Sequence, residues 1–115
     1  MDLEIEKKYA NIVRFFAKIH GETLDLQSVI FLIGVRELGE GIQKFSKREK
    51  NDLMHIAVCK LLLPYGYYSL ESIDQDGWPH YIRNEKIPFL DKDEQKKLLK
   101  EAVVQYFDDE AILEE

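Results

Sequence analysis

The segment Val29-Ile30-Phe31-Leu32-Ile33-Gly34-Val35 is apolar on every side, and it constrains the fold more than any other stretch of the chain. It counts seven residues, whereas a helix needs about 20 to span a bilayer. The β-branched content favours a strand, and periodicity alone does not separate a buried strand from a buried helix. Length decides. The pattern continues through Arg36-Glu37-Leu38 to Gly39, which predicts a helix over about 25–38, capped by Thr23 or Asp25. A helix that is apolar all round has to be covered all round. It is therefore either the centre of a small fold or one half of a contact with a second copy. Val29, Phe31, Leu32 and Val35 are the candidate residues of such a dimer helix. Gly34 inside this helix costs up to about 1 kcal/mol relative to Ala, and its presence there predicts close approach by another helix.

The neighbouring segments read more directly. Ile5, Tyr9, Ile12, Val13, Phe16 and Ile19 recur at three- and four-residue spacings, one broad apolar stripe of an amphipathic helix over about 3–20. Gly21 follows as its terminator. Ser46 and Glu49 have capping-box spacing and open a helix over about 47–63 that Pro64 stops. Asp91 and Glu94 repeat that spacing before Leu98, Leu99, Ala102, Val103, Tyr106 and Phe107. They open a last helix over about 92–113, with Phe89 or Leu90 as candidate hydrophobic staple. Between the third and fourth helices, about 67–83, two runs of strand formers flank Asp74-Gln75-Asp76-Gly77. That pattern predicts a β-hairpin. A three-residue loop would set Leu70 opposite Ile82, a four-residue loop opposite Tyr81, and one slip exchanges the faces. The register stays open at this point. The expected fold is mainly α (α+β): a four-helix arrangement with one hairpin inserted between helices three and four. No repeat, low-complexity tract or linker divides the 115 residues, so one domain spanning 1–115 is expected.

Composition narrows the class. Charged residues make up 33% and apolar ones 45% of the chain, with net charge −6, a globular mixture whose acidic balance opposes non-specific nucleic-acid binding. The single cysteine, Cys59, permits no intramolecular disulfide and favours a reducing compartment. The segment Met1-Asp2-Leu3-Glu4-Ile5-Glu6 is acidic where a signal peptide would be basic. A cytoplasmic location is expected, with no nucleic-acid or membrane partner.

Few constellations carry chemistry. His55 and Cys59 stand four apart on one helix and could share a metal, but no CxxC or HExxH pattern supplies further ligands. The simpler reading, favoured about four to one, is that they lie in or beside the core, since free cysteine is among the most buried residue types. No metal site, cofactor or catalytic residue is assigned. Asp74-Gln75-Asp76-Gly77 echoes the start of a calcium loop, and Glu85 falls at its twelfth position, yet Trp78 occupies a ligand position and the glycine comes too early. A turn is the better reading. Gly34, Gly39 and Gly41 match no phosphate-loop spacing, and Gly39 and Gly41 fit a helix end and a turn. Residues 42–60 carry five basic and two acidic side chains, and residues 91–115 four and nine, an asymmetry that suits solvated faces or steering toward a charged partner.

The aromatic cluster carries the most weight. Tyr65, Tyr67, Tyr68, Trp78, His80 and Tyr81, with Arg83 beside them, crowd the hairpin segment, and Tyr, Trp and Arg dominate binding hot spots. A hairpin must also anchor itself to helices, and large rings do that best. Half or more of the rings should therefore be anchors. Tyr67, Tyr68, Trp78, His80, Tyr81 and Arg83 together form the candidate partner or ligand surface. The stretches Phe31-Leu32-Ile33-Gly34-Val35-Arg36-Glu37-Leu38-Gly39, Asp52-Leu53-Met54-His55-Ile56-Ala57 and Asp76-Gly77-Trp78-Pro79-His80 resemble small bacterial helical proteins of unknown function of the Bacteroidetes type. That resemblance implies a bacterial cytoplasmic origin and no activity. Two functions are expected in order: a non-enzymatic interaction module, partnered by itself as a homodimer or by another protein, and a small-ligand-binding domain or enzyme. The second would use a pocket between hairpin and helices, with His80, His55, Glu71 and Tyr81 as polar residues.

Overall fold

The computed structural model describes residues 3–39, 44–84 and 88–112. Along the chain run α1 (Leu3–His20), α2 (Leu26–Leu38), α3 (Lys47–Leu61), β1 (Tyr68–Ile73), β2 (Pro79–Arg83) and α4 (Lys92–Asp109). This is the expected arrangement of four helices with an antiparallel hairpin between the third and fourth. Contacts divide the chain into two compact units: one from Met1–Leu26 and Phe89–Glu115, the other from Gln27–Pro88.

The first unit pairs α1 with α4. Tyr9 and Ile12 of the α1 stripe are buried, as are Ala102, Val103, Val104, Tyr106 and Phe107 of α4. Phe16 meets Phe107 edge to face with centroids 5.8 Å apart, a geometry that suits the ring quadrupoles. Lys8 pairs with Asp108 at 3.1 Å, and the Lys100 ammonium sits 5.1 Å from the Tyr9 ring centre. The ends of the α1 stripe emerge, Ile19 being 60% exposed. The Asp91–Glu94 capping box forms, each residue's amide donating to the other's carboxylate. The expected hydrophobic staple does not. The fourth helical residue is Gln95, whose amide donates to the Leu90 carbonyl at 2.9 Å, and Phe89 is 98% exposed. α4 gives out at Asp109, short of the expected 113, which lies outside the described residues.

The second unit holds α2, α3 and the hairpin. Val29, Ile30, Ile33, Val35 and Leu38 of α2 are buried, as the apolar run requires. At Gly34 the expected close approach is present. A Cβ added there would collide with the carbonyl oxygen of Leu53 and lie 3.0 Å from its carbonyl carbon, so α3 crosses α2 where only glycine fits. Gly39 ends α2, its N–H returning to the Val35 carbonyl at 3.2 Å. Gly41, expected in the following turn, lies outside the described residues.

α3 opens on the Ser46–Glu49 capping box, Glu49 N–H donating to Ser46 Oγ and Ser46 N–H to Glu49 Oε1. That pairing holds the Glu49 carboxyl below its usual range, chiefly through the Ser46 amide. Ser46→Ala is expected to lower stability by about 1 kcal/mol, read from urea denaturation. A change near zero would mean water replaces the cap at no cost. α3 ends at Leu61, two residues before the expected stop. The residue preceding a proline avoids helical backbone, and the chain tightens into three-residue turns, Leu63 N–H to Lys60 and Gly66 N–H to Leu63.

The hairpin register is Tyr68↔Arg83, Ser69↔Ile82, Leu70↔Tyr81, Ser72↔His80 and Ile73↔Pro79, with Glu71 left over as a bulge. Leu70 thus faces Tyr81, the pairing of the four-residue loop. The extra residue in β1 then lengthens the loop to Asp74–Trp78. Paired residues share a face and faces alternate, so Tyr68, Leu70, Ile73, Pro79, Tyr81 and Arg83 line one side. Ser69, Ser72, His80 and Ile82 line the other.

Candidate functional site

The hairpin is held to the helices of its unit by one face. Tyr68 meets the His55 ring of α3 edge to face at 6.3 Å. Tyr81 faces Glu37 of α2 and Cys59 of α3: its phenol is raised above the ordinary tyrosine range by burial first, then by those two groups. Trp78, in the loop, packs against the buried cluster of Val35, Leu38 and Leu53, beside Phe31 and Phe45. Tyr68, Trp78 and Tyr81 are each partly buried, which fits the expectation that half or more of the rings serve as anchors. Tyr67 is also partly buried and stacks near Tyr65 at 5.9 Å.

His80 and Arg83 are exposed. His80 Nε2 lies 2.9 Å from Asp74 Oδ2, and Asp74 Oδ1 accepts the backbone N–H groups of Asp76 at 2.9 Å and Trp78 at 3.0 Å. The Asp74 carboxyl is held below its usual range, by His80 first and by those amides next. A carboxylate so engaged by its own turn is a loop organiser, the role preferred over a calcium ligand in the sequence; Glu85 lies outside the described residues. At the other end of the hairpin Asn84 Nδ2 donates to the Gly66 carbonyl at 2.7 Å and its N–H to the Tyr67 carbonyl at 3.0 Å. Asn84 closes the base of the hairpin, and no pattern in the sequence singles it out.

Around Cys59 several polar groups gather. Its Sγ is hydrogen-bonded to His55 Nε2 at 3.5 Å, and Glu37 lies 3.7 Å from Arg36 and 3.8 Å from Lys60. Burial pushes the Cys59 thiol up to about 11, the direction expected of a buried structural cysteine rather than an activated nucleophile. Among the described residues no three His, Cys, Asp or Glu side chains are placed to hold a metal ion. Of the four polar candidates for a pocket, His55 reaches the Cys59 thiol, and Tyr81 is partly buried and near enough to feel its charge. His80 turns instead to Asp74, and Glu71 is exposed in the bulge. Glu37 was not among them. Its only signal in the sequence is an acid at the end of an apolar run.

Comparison with protein-family models, with curated proteins and with solved structures yields no match. The site therefore rests on its own geometry. Of the residues considered for a dimer helix, Val29 is 0% and Val35 7% exposed, while Phe31 and Leu32 are partly buried. Phe31 packs edge to face on Phe45 at 6.2 Å. Among the described residues large apolar side chains are left in solvent singly at Leu3, Ile19 and Phe89 of the first unit and together on the hairpin, where Leu70, Ile73 and Ile82 are 49%, 63% and 48% exposed. No helix among the described residues is long and apolar enough to cross a membrane.

Proposed function

We propose that this chain is a non-enzymatic helical protein–protein interaction module whose hairpin meets the partner. The observation that carries this reading is the exposure of Leu70 and Ile73, on the hairpin face that also carries the anchoring Tyr68 and Tyr81, and of Ile82 on the opposite face. Exposed apolar residues gathered on one element mark interaction sites more often than scattered ones do. The exposed Arg83 and His80 would add polar contacts at the rim, as in protein interfaces generally. The partner is a protein, and a second copy of this chain is the first to test, since a homodimer needs no other reagent.

Light scattering after size exclusion, over a wide concentration range, tests this on the wild type and on the double variant Leu70→Asp, Ile73→Asp. A mass rising toward twice 13.6 kDa in the wild type and fixed at the monomer in the variant is the expected result. Dimerisation unaffected by the variant would move the interface away from the hairpin. A monomer at every concentration would leave a different protein as the partner. Its capture by the wild type and equally by the double variant would then remove the hairpin from the reading.

A further inference from the structure

The tip of the hairpin hangs on one carboxylate. Asp74 accepts from the amides of Asp76 and Trp78 through one oxygen and meets His80 Nε2 through the other. The same turn is tied by Asp74 N–H to the Trp78 carbonyl and Gly77 N–H to the Asp74 carbonyl, both at 3.0 Å. Gly77 takes φ +86°, where a side chain would be strained. Trp78 then packs on Val35, Leu38 and Leu53. Whatever fixes the Asp74 carboxylate therefore also fixes the backbone of the residue that joins the tip to the core.

We propose that Asp74 and His80 form a pH-operated clasp at the hairpin tip, tightening the turn that carries Trp78 when the imidazole gains its proton. Histidine is the side chain whose charge ordinarily changes between about pH 5 and 8, and a charged donor makes a shorter, stronger bond to a carboxylate than a neutral one. The other charged groups on this tip are Asp76 in the same turn and Glu71 in the bulge across β1. Both are acids, and His80 is the one histidine of the hairpin. Arg83, and α3 with His55 against Tyr68, lie on the opposite face of the hairpin.

The lower bound of the clasp is set by Asp74. Its carboxyl is held below the ordinary range, so it stays ionised across the ordinary histidine interval. Its contribution is present above the unfolded carboxyl value of about 3.9 and is lost as pH falls through its own lower value. The clasp thus needs the Asp74 carboxylate ionised, whatever the hairpin binds.

Hydrogen exchange of the Trp78 and Asp76 amides tests the clasp at about pH 5.5 and 8, across the histidine range, with intrinsic rates divided out. Both side chains of the pair are substantially exposed, 57% and 39%, so the expected gain in protection at the lower pH is about two- to fivefold. His80→Gln should abolish this step. Asp74→Asn should abolish it too while keeping an oxygen that accepts both amides, and so keeping the turn. Equal protection at the two pH values in the wild type overturns the proposal, as does an undiminished step in either variant.

Discussion

Leu53→Ala is expected to lower the free energy of unfolding by about 2–5 kcal/mol. The side chain is 0% exposed and belongs to the cluster with Val35 and Leu38 on which Phe31, Phe45 and Trp78 rest. Its removal leaves a cavity that α2 and α3 cannot close, because their backbones already touch at Gly34. The loss reads out as a lower urea midpoint at unchanged slope. Trp78 fluorescence of the folded variant should also move toward that of an exposed indole. A loss under about 1 kcal/mol would mean that the cluster repacks and that the hairpin is anchored elsewhere.

Gly34→Ala should cost about 2 kcal/mol, although alanine is the better helix former. Propensity alone would favour the change by up to about 1 kcal/mol. Overpacking a tight contact costs about 1–3 kcal/mol, occasionally more, and here the obstacle is the backbone of Leu53 rather than a side chain that can turn away. The new methyl group would meet its carbonyl oxygen and lie 3.0 Å from the carbonyl carbon and 3.3 Å from Cβ. Valine should do worse than alanine. Denaturation curves for the two variants decide the matter: an alanine variant as stable as the wild type would place α2 and α3 farther apart than described.

What the sequence reveals of this molecule follows from the range of each signal. The two capping boxes, Ser46–Glu49 and Asp91–Glu94, are local hydrogen-bonding units of four residues, and both form at the positions their spacing predicts. Gly34 is legible because a helical glycine needs a reason. The helical state of α2 had to be argued from length, since an all-apolar run has no period to show. The staple at Leu90 failed because the fourth helical position holds Gln95, which bonds the Leu90 carbonyl instead. The hairpin register was undecidable for a different reason. Loop-length arithmetic assumes matched strands, and Glu71 breaks the match.

The candidate site was partly readable on the same terms. Its aromatic content is evident by inspection, and the anchoring argument requires half or more of the rings to be anchors without saying which. Which side chains meet was not readable. Glu37, Cys59 and Tyr81 come from three segments, α2, α3 and β2, and influence one another electrostatically only in the folded chain. Asp74 is legible in the sequence as a turn residue. Its two amide partners and His80 lie within six residues of it, yet only the folded loop shows one carboxylate serving all three.

The bulge at Glu71 bears on how this chain tolerates change in length. Its neighbours Leu70 and Ser72 already hold partners in Tyr81 and His80, so Glu71 is a guest in the ladder rather than a rung. Removing it would leave each remaining pair and each face as they are, in a strand of strict alternation. Removing either neighbour would bring Glu71 onto the vacated rung, opposite Tyr81 or His80, and change the side chain carried there. One position in β1 is therefore free to come and go, and the strand's reading frame is written by the residues on either side of it.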